Sequence, residues 1–303
     1  NLVGKKAFTL SELYQLNLPV PQGFVVTSNN FKRFLENNYL SKQISNILLN
    51  LDINNFKLLQ AKADEIKNII MKTEFSENLK NEIFEAYDNL NVNEEIWRMA
   101  NKSALEIIRA GRSLPYVALR SSLTNDNKDV NYLNVKGISS LITVIKKSWS
   151  YLYDFENIYS RAKNNIDHEN ISVALLIQKM INSSKSGIVT SNEDEIIIKT
   201  IHGMVDLLYS KVVNPNIYLV SKDDFYIKNK ILSDQEIYLT RDDFGNNIRK
   251  SLEEEKQNLQ ILNDDEIVNL ASYYKRIKDY YNKDVLVEFA IENNKIYIIK
   301  VKD

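Results

Sequence analysis

The sequence predicts an α+β chain of two lobes, helix-rich in its first half and mixed helix and strand in its second. Three observations carry this. From Lys42 to about Ile108, apolar residues recur at helical spacing with few turn signals. In the second half, short apolar runs at Val173–Ile177, Gly187–Val189, Glu195–Lys199 and Tyr218–Val220 read as strands. The chain then closes on Val285 to Val301, which reads as a hairpin around Glu292-Asn293-Asn294-Lys295. The lobes are expected to span residues 1–172 and 173–303.

Taken in order, Leu10 to Leu16 suggests a short helix, Leu18 to Gly23 a turn and Phe24 to Thr27 a strand. Ser28 is a candidate N-cap for a helix with Phe31, Phe34 and Leu35 on one face. Ile44, Ile47 and Leu48 form one apolar stripe, and Ile66, Ile69 and Ile70 a second. A helix opening at Ser76 carries Ile83 and Tyr87. All three stripes read as core packing. Tyr116 to Arg120 is a buried strand ending in a cation. Ile138 to Phe155 is an amphipathic helix with Trp149 and Tyr153 inward, and Asp242 to about Tyr281 reads as helical again.

Composition narrows the function. With 39 basic and 40 acidic residues the net charge is −1, so there is no basic footprint for nucleic acid. No apolar run approaches the roughly 18 residues that span a bilayer. The absence of cysteine excludes disulfides and thiolate zinc sites, and fits a reducing, cytoplasmic setting. The start, Asn1 to Lys6, has neither an initiator Met nor an apolar signal core, so a fragment of a longer chain or a trimmed form is expected. Only seven residues are glycine, a warning about phosphate-cradling loops, which need close backbone approach.

An ordered set of motifs gives a resemblance. Gly4 to Leu13, followed by Leu18-Pro19-Val20-Pro21-Gln22-Gly23-Phe24, is the first. Val117-Ala118-Leu119-Arg120-Ser121-Ser122 and Tyr132 to Gly137 follow. Leu176-Ile177-Gln178-Lys179-Met180-Ile181 with Ser186-Gly187-Ile188 comes next, then Gly203-Met204-Val205-Asp206 with Pro215 to Tyr218. Val287-Glu288-Phe289 and Tyr297 to Lys302 complete it. The set resembles, in order and over essentially the whole chain, the ATP-binding domain of the phosphoenolpyruvate synthase and pyruvate phosphate dikinase family. The resemblance implies an ATP-grasp-like pair of lobes, the second built around an antiparallel sheet, with ATP bound between them. It implies nucleotide contacts from Lys6, Arg120, Gln178, Met180, Asp206 and Lys300, with the pair Gln178 and Met180 bordering the adenine. Arg120 and Lys302 fall on positions that handle the transferring phosphoryl group, and Glu288 on a metal position. The cofactor implied is ATP, with Mg²⁺ left open. The partner implied is a phosphohistidine domain, in cis or in trans.

Departures from the family pattern point away from full activity. Only Leu123 to Asn131 separate Ser122 from Tyr132, where the family carries a longer, glycine-containing segment that covers the phosphates. Lys300 stands where the family has a glutamine beside the metal, and Lys302 where it has an arginine. An ammonium cannot ligate Mg²⁺, and it lacks the planar fork with which Arg holds phosphoryl oxygens. Asp206 replaces a glutamate, while Lys5, Ala7 and Val205 replace glycines. The expectation is a divergent ATP-binding domain, weak or inactive in phosphoryl transfer. The alternative is an active ATP-dependent domain that phosphorylates a histidine elsewhere.

Plainer readings stand beside these. Lys6 reads equally as an exposed lysine before a helix, and Arg120 as a strand-end arginine in a structural ion pair. Glu288 reads as a buried carboxylate paired with Lys300 or Lys302 for structure alone. Gln178 reads as an edge-of-strand hydrogen bonder. His168 and His202, the only histidines, read as packing or surface residues, and Glu253 to Lys256 as a solvated helix face.

Overall fold

The structure is a computed structural model that describes residues 2–49, 51–90, 114–123, 130–168, 171 and 173–302. The helical reading beyond Leu90 and the shortened segment at 124–129 lie outside these residues, as does residue 172, where the lobes were expected to join. The chain divides into two compact units, one of Asn1–Phe8 with Gln22–Met180, the other of Thr9–Pro21 with Ile181–Asp303.

The first unit packs helices on one side of a four-stranded antiparallel sheet. Its strands are β1 (Gly23–Val26), β2 (Val117–Leu123), β3 (Asn131–Val135) and β4 (Val173–Lys179), in the order β1-β4-β2-β3. The strand at Val173, expected to open the second lobe, thus belongs to the first unit. It pairs with β2 from Val117↔Lys179 to Leu123↔Val173, filling the centre of that sheet. The helices on that side are α2 (Ser28–Asn37), α3 (Leu40–Leu48), α4 (Phe56–Lys72), α5 (Glu77–Asn89), α6 (Ile138–Tyr151) and α7 (Phe155–Lys163); the first turn of α1 (Gly4–Gln15) also belongs to this unit.

Local chemistry sets these boundaries. Asn55 and Ser76 cap α4 and α5, accepting hydrogen bonds from the amides of Leu58 and Leu79. The N-cap of α2 is Thr27, one residue earlier than expected, with its amide donating to the Asn30 side chain at 3.2 Å. The helix expected from Ile138 to Phe155 ends at Tyr151 and restarts at Phe155. At that break the Asp154 carboxylate meets the Lys67 ammonium at 2.7 Å. Phe31, Phe34 and Phe75 surround the fully buried Trp149, with ring centroids 4.9–5.3 Å from it. Tyr87, also fully buried, donates to the Pro115 carbonyl at 2.7 Å and accepts from the Gly137 amide at 2.9 Å.

The second unit is built on a six-stranded antiparallel sheet. Its strands are β5 (Lys185–Ser191), β6 (Glu195–His202), β7 (Asn216–Ser221), β8 (Ile227–Ile231), β11 (Leu286–Glu292) and β12 (Lys295–Lys302), in the order β12-β11-β5-β6-β7-β8. A short helix α8 (Asp206–Tyr209) follows β6. A separate hairpin joins β9 (Ile237–Arg241) and β10 (Asn247–Ser251), and α9 (Glu254–Gln257) precedes the long α10 (Asp264–Tyr281).

The helix expected from Asp242 therefore begins only at Asp264. The Asp242 carboxylate takes the amides of Phe244 and Asn246 at 2.9 and 2.7 Å, and Gly245 has φ +91°. This turn chemistry outcompetes helix propensity. The true start carries a reciprocal cap: Asn263 accepts from the Glu266 amide at 2.8 Å, and Glu266 accepts from the Asn263 amide at 2.9 Å. One face of α10, with Ile267, Leu270, Tyr274 and Ile277, packs on Val189, Ile198, Tyr218, Val287, Phe289 and Ile298 to form the core. The fold class is the α+β one that the sequence predicts, helix-rich in the first unit and built on an antiparallel sheet in the second. Among the described residues, no helix is long and apolar enough to cross a membrane.

Candidate functional site

In the first unit, Val117, Leu119, Leu175 and Ile177 point into the helical core. Side chains alternate along a strand, so Ala118, Arg120 and Ser122 of β2 occupy the other face with Leu176 and Gln178 of β4. The register confirms the rows: Arg120 lies opposite Leu176, and Gln178 opposite both Ala118 and Gly23. The N-terminus of α1 lies on this face, so close that a Cβ on Gly4 would fall 2.5 Å from the Ser122 side chain. Gly4 has φ +77°, which also favours glycine.

Lys6 sits inside the first turn of α1, because that helix begins at Gly4 rather than near Leu10. Its ammonium donates to the Ser121 carbonyl at 2.8 Å, one residue from Arg120. The Ser121 hydroxyl in turn accepts from the Val130 amide at 2.8 Å, tying β2 to the chain entering β3. Gln178 is 3% exposed and lies on the interior strand β4, not on an edge. Met180 follows that strand, half-buried, with its amide donating to the Tyr116 carbonyl at 2.9 Å. Lys6, Arg120, Gln178 and Met180 thus belong to one unit, and the first three share one sheet face or its immediate border.

The second unit holds the remaining candidates. Glu288 lies directly opposite Lys300 in the closing hairpin. The pairing then jumps to Phe289↔Ile298, which leaves Ile299 as an extra residue on β12. This bulge decides which way the lysines face. Ile296 and Ile298 point into the α10 core, and unbroken alternation would send residues 300 and 302 there as well. After the bulge Val301 packs on the core instead, and Lys300 and Lys302 turn to the face that carries Glu288. The same row continues from Glu288 to Ile188 on β5 and Lys199 on β6.

Glu288 is buried at 9% exposure, and its Oε2 accepts a 2.8 Å hydrogen bond from the Tyr209 hydroxyl. The Lys302 ammonium lies 5.3 Å from the centroid of the Tyr209 ring. Burial first, then the charge of Glu288 and its hydrogen bond, and then Asp206, push the Tyr209 hydroxyl far above its ordinary pKa of 10.0. Asp206 opens the same short helix, three residues before Tyr209. That helix is anchored by Gly203, whose φ is +72° and whose carbonyl accepts from the Ser183 and Ser186 hydroxyls at 3.0 and 2.6 Å.

Tyr209 is the residue that sequence reasoning missed. Its signal was modest: a hydroxyl-bearing aromatic one helical turn beyond Asp206, in a motif read only as far as that aspartate. The two histidines do pack, as their plainer reading held. His168 accepts from the Arg161 guanidinium at 3.1 Å, and His202 is half-buried opposite Lys185.

Mg²⁺ is ordinarily held by one or two carboxylates together with phosphate oxygens. Here one oxygen of the Glu288 carboxylate is engaged by the Tyr209 hydroxyl, and two ammonium groups share its face. Among the described residues no group of three or more His, Asp or Glu side chains is placed to hold a metal. The donor set at Glu288 does not fit a divalent cation.

In each unit the sheet turns cationic and hydrogen-bonding side chains away from its helical core. The chain belongs to the family described as pyruvate phosphate dikinase, AMP/ATP-binding domain, whose model matches residues 1–303. It is 30% identical to a probable phosphoenolpyruvate synthase of Methanothermobacter thermautotrophicus, over 99% of this chain and 43% of that protein. It is 34% identical to a probable phosphoenolpyruvate synthase of Archaeoglobus fulgidus, over 99% of this chain and 39% of that protein. A phosphoenolpyruvate synthase of Pyrococcus furiosus is 27% identical over 99% of this chain and 41% of its own length. The chain spans about two-fifths of the length of these relatives.

Proposed function

We propose that the chain binds ATP through cationic side chains rather than through a resident metal, and that it is weak or inactive in phosphoryl transfer. The observation that supports this most is the register of the closing hairpin, which sets Lys300 against Glu288 and brings Lys302 to the same face. Two ammonium groups facing one carboxylate leave an excess of positive charge, which attracts a polyphosphate and repels Mg²⁺.

In this reading Lys6 and Arg120 take phosphate oxygens, Arg120 through its planar fork. Gln178 and Met180 border the base, and Asp206 and Lys300 contact the nucleotide. Lys302 stands at the transfer position, where an ammonium gives a point charge without the bidentate geometry that orients a phosphoryl group. Lys6 comes pre-positioned by its bond to the Ser121 carbonyl, and exchanging that bond for a phosphate oxygen gains charge assistance. The lack of cysteine supports a cytoplasmic setting.

A second reading, an active domain that passes a phosphoryl group to a histidine on another domain or chain, draws on the Lys6 bond beside Arg120. Thermal unfolding with ATP in EDTA and with ATP plus Mg²⁺ separates the two. A ligand at 100 times its dissociation constant stabilises by about 2.7 kcal/mol. The cationic reading predicts that stabilisation in EDTA, with no gain on adding Mg²⁺. A shift that appears only with Mg²⁺ favours the active domain, and no shift under either condition overturns both.

A further inference from the structure

We propose that Tyr209 is a positioning residue that holds the Glu288 carboxylate in a metal-refusing state. Lysine substitution alone does not achieve this, because a carboxylate with both oxygens open can still chelate a cation from solution. Here the Tyr209 hydroxyl holds one of the two oxygens, so a cation cannot take both without displacing it. The Tyr209 hydroxyl donates to Oε2 at 2.8 Å, and a metal entering there must displace a bond to a buried, charged acceptor.

The tyrosine is itself fixed from two sides. Its ring faces the Lys302 ammonium at 5.3 Å, so the residue that blocks the carboxylate also seats one of the lysines. Its helix is pinned through Gly203, where a Cβ would fall 2.2 Å from the Leu239 carbonyl oxygen. The Met204 amide donates to that same oxygen at 2.9 Å, and Leu207 is buried at 3% exposure. Tyr209, Glu288, Lys300 and Lys302 thus share one face, with the hydroxyl holding one oxygen of the carboxylate. The proposal deepens the cationic reading of ATP binding and rests on it for the identity of the anion.

The test uses Mn²⁺ as the probe, followed by electron paramagnetic resonance on the full chain without nucleotide. Tyr209→Phe keeps the ring that faces Lys302 and removes only the hydroxyl. It should bind Mn²⁺ about tenfold more tightly than the unmodified chain, because entry of the metal no longer has to break a hydrogen bond to a charged acceptor. Adding Lys300→Gln should tighten binding further, and adding Glu288→Gln should abolish the gain. A parallel ATP titration in EDTA judges the nucleotide reading separately: failure to bind ATP sinks that reading, while the Mn²⁺ comparison still decides the role of Tyr209. If Tyr209→Phe binds Mn²⁺ no better than the unmodified chain, or if Lys300→Gln alone gives the whole gain, the hydroxyl is only a structural contact and the proposal falls.

Discussion

The four-stranded and six-stranded sheets each turn charged side chains away from a helical core, but they aim them by different means. In the first unit simple strand alternation suffices: Val117 and Leu119 point inward, and Ala118 and Arg120 outward. The neighbouring cation, Lys6, is steadied by a main-chain carbonyl and meets no carboxylate in that bond. In the second unit alternation alone would bury Lys300 and Lys302, and the bulge at Ile299 reverses their direction. There the charges are mixed, and a tyrosine from a short helix arbitrates among them. The first face follows from residue types in a row, and the second from a backbone irregularity combined with a side chain from another element.

The contrast can be broken most severely at Gly203. Gly203→Ala must place a Cβ 2.2 Å from the Leu239 carbonyl oxygen at φ +72°. A loss of about 3 kcal/mol in unfolding free energy is expected, along with displacement of Tyr209. In the first unit, Gly23→Ala meets the Ile177 carbonyl at 2.7 Å. Without a positive-φ penalty there, it should cost less, about 1–2 kcal/mol, as overpacking against the neighbouring strand. Chemical denaturation of both variants compares them directly, and equal losses would show that backbone conformation at Gly203 carries no special weight.

The two histidines sharpen the comparison through pH. His168, in the first unit, has its pKa lowered from 6.5 by burial and then by Arg161, against a smaller opposing effect of Asp167. His202, in the second, is lowered by burial and then by Lys185 and Lys256. The buried Arg161 is itself pushed down to about 10, chiefly by burial. Both imidazoles take up a proton less readily in the folded state than in the unfolded chain, which is protonated as the pH falls through 6.5. Stability contributed by each is therefore present above that pH and lost below it. His168→Asn keeps an acceptor for Arg161 and should flatten the acid-side loss in part, as should His202→Gln. If neither flattens it, carboxylates rather than histidines govern the acid limb. The smallest effect is expected at the exposed Lys256–Glu253 pair, 2.7 Å apart, where Lys256→Ala should leave the unfolding midpoint unchanged.

What the sequence revealed follows the same division. The closing hairpin was legible because Asn293 and Asn294 suit the left-handed backbone of a tight turn, and both adopt it, with φ +51° and +60°. That Lys300 and Lys302 share a face was legible from strand period, and the bulge preserves it because it lies before both residues. The direction of that face was not legible, since an extra residue in a ladder leaves no compositional mark. Tyr209 was hidden because its partner Glu288 lies 79 positions away and only tertiary structure brings them together. The strand from Val173 was read correctly as a strand but assigned to the wrong unit. A continuous apolar run reports burial and does not name the neighbours that bury it. At Asp242, the helical reading missed an aspartate and a glycine whose turn chemistry was visible in principle.

In the proposed function, cations rather than a metal prepare the chain for its nucleotide. Calorimetric titration of the full chain with ATP, in EDTA and then in excess Mg²⁺, tests it most directly, with a Lys300→Gln, Lys302→Arg variant alongside. Binding is expected in EDTA, with Mg²⁺ leaving it unchanged or weakening it by competing for the phosphates, and the variant should gain a Mg²⁺ dependence. Tight ATP binding by the unmodified chain that requires Mg²⁺ would contradict it.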